Sequence, residues 1–556
     1  MPVGTSVSSL INDSEKRGRK PGLRVAGLPM PAIAFLILSA AIAVIRSHYQ
    51  TLGLDEYGFG LLEIDSRSSF GQLIHIQLTR PVSFDPIGYN ALIYGIIRCF
   101  GSGAFAIRLP SIVGYLLMQA CLFWFVRDIV NDWAATAALA FPALLGIAGY
   151  SIEARPYGVT LGLSALAMLC WQRAGRQSAQ RTFALIGLAL SLAAALNMQY
   201  YAVLLFVPLC VAELVRTIEF RRLDVPMLVA ITSGLAGLIL VLPFAKALSS
   251  FQANHGRLAR TDYGFITHSY LWLLVGYAQL SVRQQHEIGF GFGLFLIALM
   301  VISVRLRKQI DLRLPLAEAI FLLTLSALPF LAYVLAIFVT HFVESRYVLP
   351  AMIGMSAVTS ILLAPLLRNR TIASLVLAAL FIPTAAMGVQ HIRSDKQNSQ
   401  NMLSYVAINP KVQSSLDNYP GQPIYCDNHF MFEFIKYYSP SEDMRSRIGL
   451  TYWEPTDYEA SGVLADVNEQ MANMHADGVR HVDSYELLSK PGTEHLFLLY
   501  PGPWDLTDQK LAASHAHLKQ LGQFFGGDLV SVYFPISIGA ADIAGPHSAG
   551  DKVSAR

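Results

Sequence analysis

The 556-residue chain is 54% hydrophobic and only 14% charged, which excludes an ordinary soluble protein of this length. Its net charge of +3 gives no sign of a nucleic-acid partner and says little else, because in a membrane protein the placement of Lys and Arg between loops matters more than their sum. Four of the five cysteines, Cys99, Cys121, Cys170 and Cys210, lie in or beside apolar segments and Cys426 stands alone further on, so neither a disulfide framework nor a cysteine metal site is expected.

Residues 1–26 are rich in small and polar groups and read as a disordered cytoplasmic N-terminus. Crossing a hydrocarbon core of about 30 Å takes about 20 mostly apolar helical residues. About eleven such stretches follow: Leu28 to Arg46, Ala104 to Val126, Ala134 to Tyr150, Pro156 to Trp171, Phe183 to Gln199, Tyr200 to Val215, Pro226 to Leu248, Ile288 to Val304, Leu316 to Val339, Tyr347 to Leu367 and Thr371 to Val389. The first is long and lacks a small-residue cleavage site, so it reads as a retained span. The predicted fold is a polytopic α-helical membrane protein, with a transmembrane domain over residues 27–391.

Between the first two spans lies a long loop, 47–103. Within it Tyr89, Leu92, Ile93, Ile96, Ile97 and Phe100 recur at helical spacing on one face. Phe70, Leu73, Ile74 and Gln77 begin a weaker stripe. Both are too short and polar to span and read as interfacial helices. A second long loop, 249–287, carries the apolar run Tyr270 to Leu274. From about Arg393 the apolar fraction falls. Pro423 to Cys426, His495 to Leu499 and Leu529 to Phe534 read as short buried strands, with helical segments near Phe430 to Tyr438 and Asp508 to Phe525 between them. This predicts a small α/β domain over 392–537, before a disordered tail at 538–556.

Basic clusters set the threading. Lys16, Arg17, Arg19, Lys20 and Arg24 precede the first span, and further clusters follow every second span: Arg127; Arg173, Arg176 and Arg181; Arg216, Arg221 and Arg222; Arg305, Arg307 and Lys308; Arg368 and Arg370. The positive-inside rule puts these in the cytoplasm, and with an odd number of spans the C-terminal domain lies outside. The Asn-x-Ser/Thr sequons at Asn12 and Asn369 then fall inside, which favours a bacterial inner membrane.

Against that rule, arginines persist at outer turns. Glu153-Ala154-Arg155-Pro156-Tyr157 and Glu344-Ser345-Arg346-Tyr347 each sit where one apolar stretch ends and the next begins. An arginine fork matches phosphate oxygens bidentately and keeps its charge in a low-dielectric setting, whereas placing it near hydrocarbon is costly. The alternative is a structural pair with Glu153 or Glu344, or snorkelling to headgroups. Tyr157 and Tyr347 also fit an ordinary aromatic belt.

Leu54-Asp55-Glu56 follows the first span. Adjacent helical side chains point about 100° apart, so one acid faces a cavity while the other caps or pairs. Asp55 suits a general base toward a hydroxyl or a metal bridging a phosphate; the alternative is that both acids cap an interfacial helix. Further candidates are His255, Arg257, Arg260, Asp262 and His268 in the second long loop, then Arg283, His286, Glu287 and His341, and Asp427, Asn428 and His429 in the outer domain. No zinc-type spacing, Walker loop or dinucleotide fingerprint is present. No nucleotide cofactor is expected, and a donor for outer-face chemistry has to arrive attached to a membrane lipid.

Between Leu54 and Trp171 the chain resembles the integral-membrane glycosyltransferases of the GT-C superfamily, in particular the protein O-mannosyltransferase, lipid A aminoarabinose transferase and rhizobial galacturonosyltransferase-like group. The matching residues are Leu54-Asp55-Glu56, Asp85-Pro86-Ile87-Gly88-Tyr89, Phe105 to Ser111, and Ala154-Arg155-Pro156-Tyr157, with Ser345 to Pro350 later on. The resemblance implies an inverting transferase that takes a sugar from a polyprenyl phosphate and passes it to a lipid, polysaccharide or protein acceptor at the outer face. It implies that Asp55 is the catalytic carboxylate, supported by Glu56, and that Arg155 and Arg346, flanked by Tyr157 and Tyr347, lie near the donor phosphate. Where relatives often carry His or Lys, this chain has Asp85, whose charge repels a phosphate unless a cation stands between. Asp85, with His255 and His286, is therefore a candidate for the acceptor or a metal, a divalent cation being the one cofactor left open. The rival reading is a transporter or flippase for a lipid-linked sugar, although transporters place such charges near the midplane and show inverted repeats.

Overall fold

The computed structural model describes residues 24–25, 27–57, 61, 63–65, 69–79, 85–176, 179–254, 264–276, 281–306, 314–341, 343–406, 414, 416–426, 429–453, 471–472, 474–476, 478–488, 495–499, 517–523 and 531–536. The chain forms two compact units: 1–49, 85–246 and 257–394 in the first, and 50–84, 247–256 and 395–556 in the second. The stretch 50–84, part of the first long loop, thus groups with the C-terminal residues rather than with the spans.

The first unit is helical and is that of an integral membrane protein. Six helices among the described residues are long and apolar enough to cross a bilayer: Met30–Tyr49, Ala104–Arg127, Arg181–Met198, Tyr200–Phe220, Val225–Leu248 and Arg370–Asn401. Leu316–Ser326 and Leu328–Thr340, bent by 56°, make a seventh if counted as one span. The expected count of eleven is not reached by this measure, and the local chemistry says why. The stretch expected from Ala134 to Tyr150 is a helix only over Asp132–Ala140, and then tightens into 3₁₀ turns at Phe141–Leu144 and Gly146–Ser151, where Pro142 removes a helical donor. From Tyr347 to Leu367, a 3₁₀ turn at Ser345–Val348 and Pro350 leave the α-helix to Ala351–Leu363. The expected break between Asn197 and Tyr200 is present: Arg181–Met198 ends at an extended Gln199 before the Tyr200–Leu205 turn.

Exposed Phe183, Leu190, Ile239, Leu240 and Phe290 mark faces suited to lipid rather than water. Inside, the Ala104–Arg127 and Tyr157–Ala174 helices meet backbone to backbone. A Cβ built on Gly114 would lie 2.3 Å from the carbonyl oxygen of Gly158, and one on Gly162 would lie 2.5 Å from that of Gly114. Only glycine permits this approach. A buried charge cluster ties further helices together: the Trp171 indole N–H donates to Glu213 at 2.6 Å, and Arg216 pairs with Glu213 and, at 3.7 Å, with Glu318.

The second unit contains a six-stranded sheet in the order Val482–Ser484, Ile448–Tyr452, Ile424–Cys426, Leu496–Leu499, Ser531–Ile536, His517–Gln523. The first four run parallel and the last two pair antiparallel. Helix His429–Tyr438 contributes Phe432 and Ile435 to a core with Ile424, Cys426, Ile448, Leu450, Leu496 and Leu498. One expectation is corrected: within the segment Asp508 to Phe525, read as helical, residues 517–523 form a strand. Its partner Ser531–Ile536 decides this, since strand pairing overrides local helical spacing.

Candidate functional site

In the first unit, five of the residues singled out from the sequence converge. The close glycine contact brings Ser111 against the turn before Tyr157–Ala174, where the Ser111 hydroxyl donates to the carbonyl of Arg155 at 3.0 Å. Pro156 stands as N-cap of that helix, which suits a residue with no backbone N–H to offer. Arg155, 5% exposed, therefore projects from a fixed turn. Its Nε lies 3.2 Å from one Asp85 oxygen and its Nη2 donates to the other at 3.4 Å. Nη2 also donates to the Tyr157 hydroxyl at 3.5 Å.

Asp85 is fixed in turn. It precedes Pro86, the N-cap of helix Ile87–Phe100, and its carbonyl accepts from the Asn90 side chain at 3.5 Å. Gly88 lets this helix sit on Asn197: a Cβ there would be 2.5 Å from the Asn197 carbonyl oxygen. Asp85 is thus paired with a protein cation, Arg155.

Arg346 comes from the Ser345–Val348 turn, 191 positions later in the chain. Its Nε lies 3.1 Å from Glu344, a partner 41% exposed where Arg346 is 20% exposed. The guanidinium carbons of Arg155 and Arg346 lie 5.6 and 6.0 Å from the centre of the same ring, Tyr157. Around them, Tyr150 meets Tyr157 edge to face at 5.1 Å and Tyr347 stacks on Tyr201 at 4.8 Å. The Tyr201 hydroxyl bonds Thr340 at 2.6 Å, and Ser345 bonds Ser269 at 3.1 Å. Two guanidinia within 6.0 Å of the centre of one tyrosine ring are an arrangement able to take an anion whose attached group is apolar or ring-shaped.

Asp55 and Glu56 belong to the second unit, in the helical turn Leu54–Glu56. Glu56 is buried and its Oε2 accepts from the Gly53 N–H at 2.7 Å, so it closes its own turn. Asp55 is half-buried. Helix His429–Tyr438 backs this turn: the Tyr438 hydroxyl accepts from the Leu52 N–H, and Tyr437 meets Tyr57 edge to face at 5.2 Å. Glu433 on that helix is 4% exposed. Burial, and then the charge of Asp55, push its carboxyl well above the ordinary carboxylate range. Sequence reading did not single out Glu433; its only signal was an acid set in a run with Phe430, Phe432, Phe434 and Ile435.

His286 is exposed on helix Val282–Leu306 beside the Arg283–Glu287 pair, and His268 is exposed on Gly264–Val275. His255, Arg257, Arg260, Asp262, Asp427 and Asn428 lie outside the described residues. Arg108 was quoted only as part of a motif; it is fully buried and donates to the carbonyl of Ser47 at 3.3 Å. Among the described residues no group of three or more His, Cys, Asp or Glu side chains is placed to hold a metal ion.

Residues 85–246, which include Asp85, Arg155 and Tyr157, match the family model described as Dolichyl-phosphate-mannose-protein mannosyltransferase. Among solved structures, ArnT from Cupriavidus metallidurans in the apo state superposes with a TM-score of 0.57 at 12% identity, over 93% of this chain and 99% of that one. Weaker likenesses include ArnT from the same organism bound to undecaprenyl phosphate, TM-score 0.46 at 12% identity over 93% and 99% of the two chains. Another is the oligosaccharyltransferase AglB from Archaeoglobus fulgidus with an inhibitory peptide and a dolichol phosphate, TM-score 0.42 at 12% identity over 88% and 72%. No curated protein matched the sequence significantly. The fold is that of the GT-C membrane glycosyltransferases.

Proposed function

We propose that this protein is an inverting glycosyltransferase that moves a hexosyl or pentosyl group from a polyprenyl phosphate to an acceptor hydroxyl of the bacterial envelope, on lipid A, another glycan or a protein. The observation that carries the reading is the pair of guanidinia over Tyr157, one of them 5% exposed. An arginine pair at span ends, one member buried and the other partly so, is costly in a membrane and suits a lipid-borne phosphate. The fold, and a family match whose description includes dolichyl-phosphate-mannose, support the donor class. The basic clusters support a cytoplasmic N-terminus and action at the outer face of the inner membrane.

In this mechanism the Asp55 carboxylate takes the proton of the acceptor hydroxyl as its oxygen attacks the anomeric carbon. The bond from that carbon to the phosphate oxygen breaks on the opposite side, giving inversion. Its electron pair stays on the phosphate, whose charge rises from −1 toward −2. Arg155 and Arg346 offset that growing charge, a stabilisation larger in the transition state than in the ground state. Glu56 holds the turn that carries Asp55.

The test is mass spectrometry of prenyl-phosphate lipids and envelope glycans from cells expressing wild type or Asp55→Asn at matched levels. Loss of one sugar from a glycan together with accumulation of the matching prenyl-phosphate sugar supports transfer, and the mass difference identifies the sugar class. Unchanged pools would remove Asp55 from the chemistry and return the transporter reading to the front.

A further inference from the structure

Each arginine over Tyr157 has a carboxylate neighbour, but the two neighbours differ. Glu344 is 41% exposed at the side chain, whereas Asp85 is 5% exposed beside an Arg155 that is 6% exposed. Solvent screens the first charge far more than the second, so Asp85 is the negative charge that a ligand of Arg155 must share space with. Asp85 also stands against one edge of the fork that a phosphate would use, its two oxygens 3.2 and 3.4 Å from Nε and Nη2.

We infer that Asp85 tempers the charge preference of the arginine pair, so that the doubly charged polyprenyl phosphate left after transfer is held less tightly, relative to the singly charged phosphodiester of a sugar donor, than the two arginines alone would hold it. This rests on the reading of Arg155 and Arg346 as donor-phosphate residues. The chemistry gives the device a purpose. A sugar phosphodiester carries one fixed negative charge, and release of the sugar leaves a monoester whose second ionisation lies near pH 6. Two arginines alone would hold the product more tightly than the substrate, and product release would limit turnover. A buried carboxylate on one of the two forks cancels part of that preference.

The groups facing Asp85 include Arg155 and the rings of Tyr157, Tyr200 and Tyr347, with Arg346 against the Tyr157 ring. Arginine and tyrosine both titrate well above pH 8 in reference peptides, so between pH 5 and 8 the charge that changes is the ligand's.

The experiment uses the full chain in lipid nanodiscs and two probes, undecaprenyl phosphate and its monomethyl phosphodiester. In wild type, the affinity for the monoester relative to the diester is expected to change little as pH rises from 5 to 8. In Asp85→Asn the same ratio is expected to rise over that range, with the monoester binding on the order of tenfold tighter than to wild type at pH 8. If Asp85 merely pins the Arg155 side chain, Asp85→Asn weakens both probes alike, and that result overturns the proposal. A monoester preference that rises about tenfold or more with pH in wild type overturns it without any variant, so poor folding of Asp85→Asn leaves the test intact. Arg155→Ala and Arg346→Ala test the underlying reading separately. If neither weakens binding of either probe, the phosphate assignment fails; if they weaken it while the charge ratios run opposite to expectation, only the role of Asp85 fails.

Discussion

The contact between the Ala104–Arg127 and Tyr157–Ala174 helices is the feature on which the arginine turn depends, and Gly162→Ala tests it. A Cβ at position 162 would stand 2.5 Å from the carbonyl oxygen of Gly114 and 2.8 Å from its Cα, short of ordinary contact at about 3.5 Å by about 1 Å. Both obstacles are backbone, so the helices must part. Overpacking of this kind costs about 1–3 kcal/mol, and an unyielding neighbour places Gly162→Ala near the upper end. Helix propensity returns about 1 kcal/mol, leaving a net loss of about 2 kcal/mol, or roughly 30-fold in the folded ratio. Gly291→Ala is the matched control, because a Cβ at Gly291, within helix Val282–Leu306, meets nothing within 4 Å. Thermal unfolding of the detergent-solubilised protein, followed by loss of the monodisperse peak, should show Gly162→Ala melting below wild type and Gly291→Ala at or above it. Equal melting temperatures for the two variants would refute the argument that this interface is closed to a methyl group.

Arg155→Ala leaves Asp85 buried without its cation, which costs about 3–5 kcal/mol for a pair of this kind. Arg155→Ala/Asp85→Ala removes both charges and should be more stable than Arg155→Ala alone, as thermal unfolding of the three proteins would show. For Glu433, whose carboxyl is pushed up by burial and by Asp55, the folded state holds a proton that the unfolded chain releases near pH 4.3. Its contribution is fully present below that pH and is lost as pH rises through the higher folded value. Glu433→Gln cannot ionise, so its melting temperature should gain on wild type as pH rises from 4 toward neutrality; a difference independent of pH would show that Glu433 is already charged in the folded protein.

Local pattern carried much of the fold. The stripe Tyr89, Ile93 and Ile97 became the buried face of helix Ile87–Phe100, and the polar interruption at Asn197–Gln199 became a real break. Strands Ile448–Tyr452 and Val482–Ser484 were missed. The first is buried along its whole length and so shows none of the alternation that marks a half-exposed strand. The second is three residues long, too short for a periodic signal. The arginines were legible because a charge at a span end is conspicuous. The local pattern offered Glu344 as the partner of Arg346, but not the partner of Arg155: Glu153 stands two positions away, yet Asp85, seventy positions away, forms the described ion pair, and no local pattern encodes that pairing. Similarly, adjacency suggested that Asp55 and Glu56 divide one task, but only the fold assigned Glu56 to the Gly53 N–H and brought Glu433 close enough to raise the cost of its own charge.

In sequence the two Glu-x-Arg motifs look equivalent, and in structure they are not. Arg346 and Glu344 are partly solvated, so if both arginines meet the donor phosphate as proposed, exchanging that carboxylate for the phosphate costs little desolvation and Arg346 meets the ligand early. Arg155 gives up a buried partner, so its engagement comes after the ligand has displaced water and is held longer once made. Charges at the rim of an interface govern chiefly the rate of encounter, and buried hydrogen-bonded charges the rate of escape. Stopped-flow binding of undecaprenyl phosphate should therefore show Arg346→Ala slowing association, with a strong dependence on salt. Arg155→Lys, which keeps the charge but loses the fork, should speed dissociation and leave the association rate nearly unchanged. The reverse assignment would mean that Arg155 is the first contact, and the order inferred from burial would be wrong.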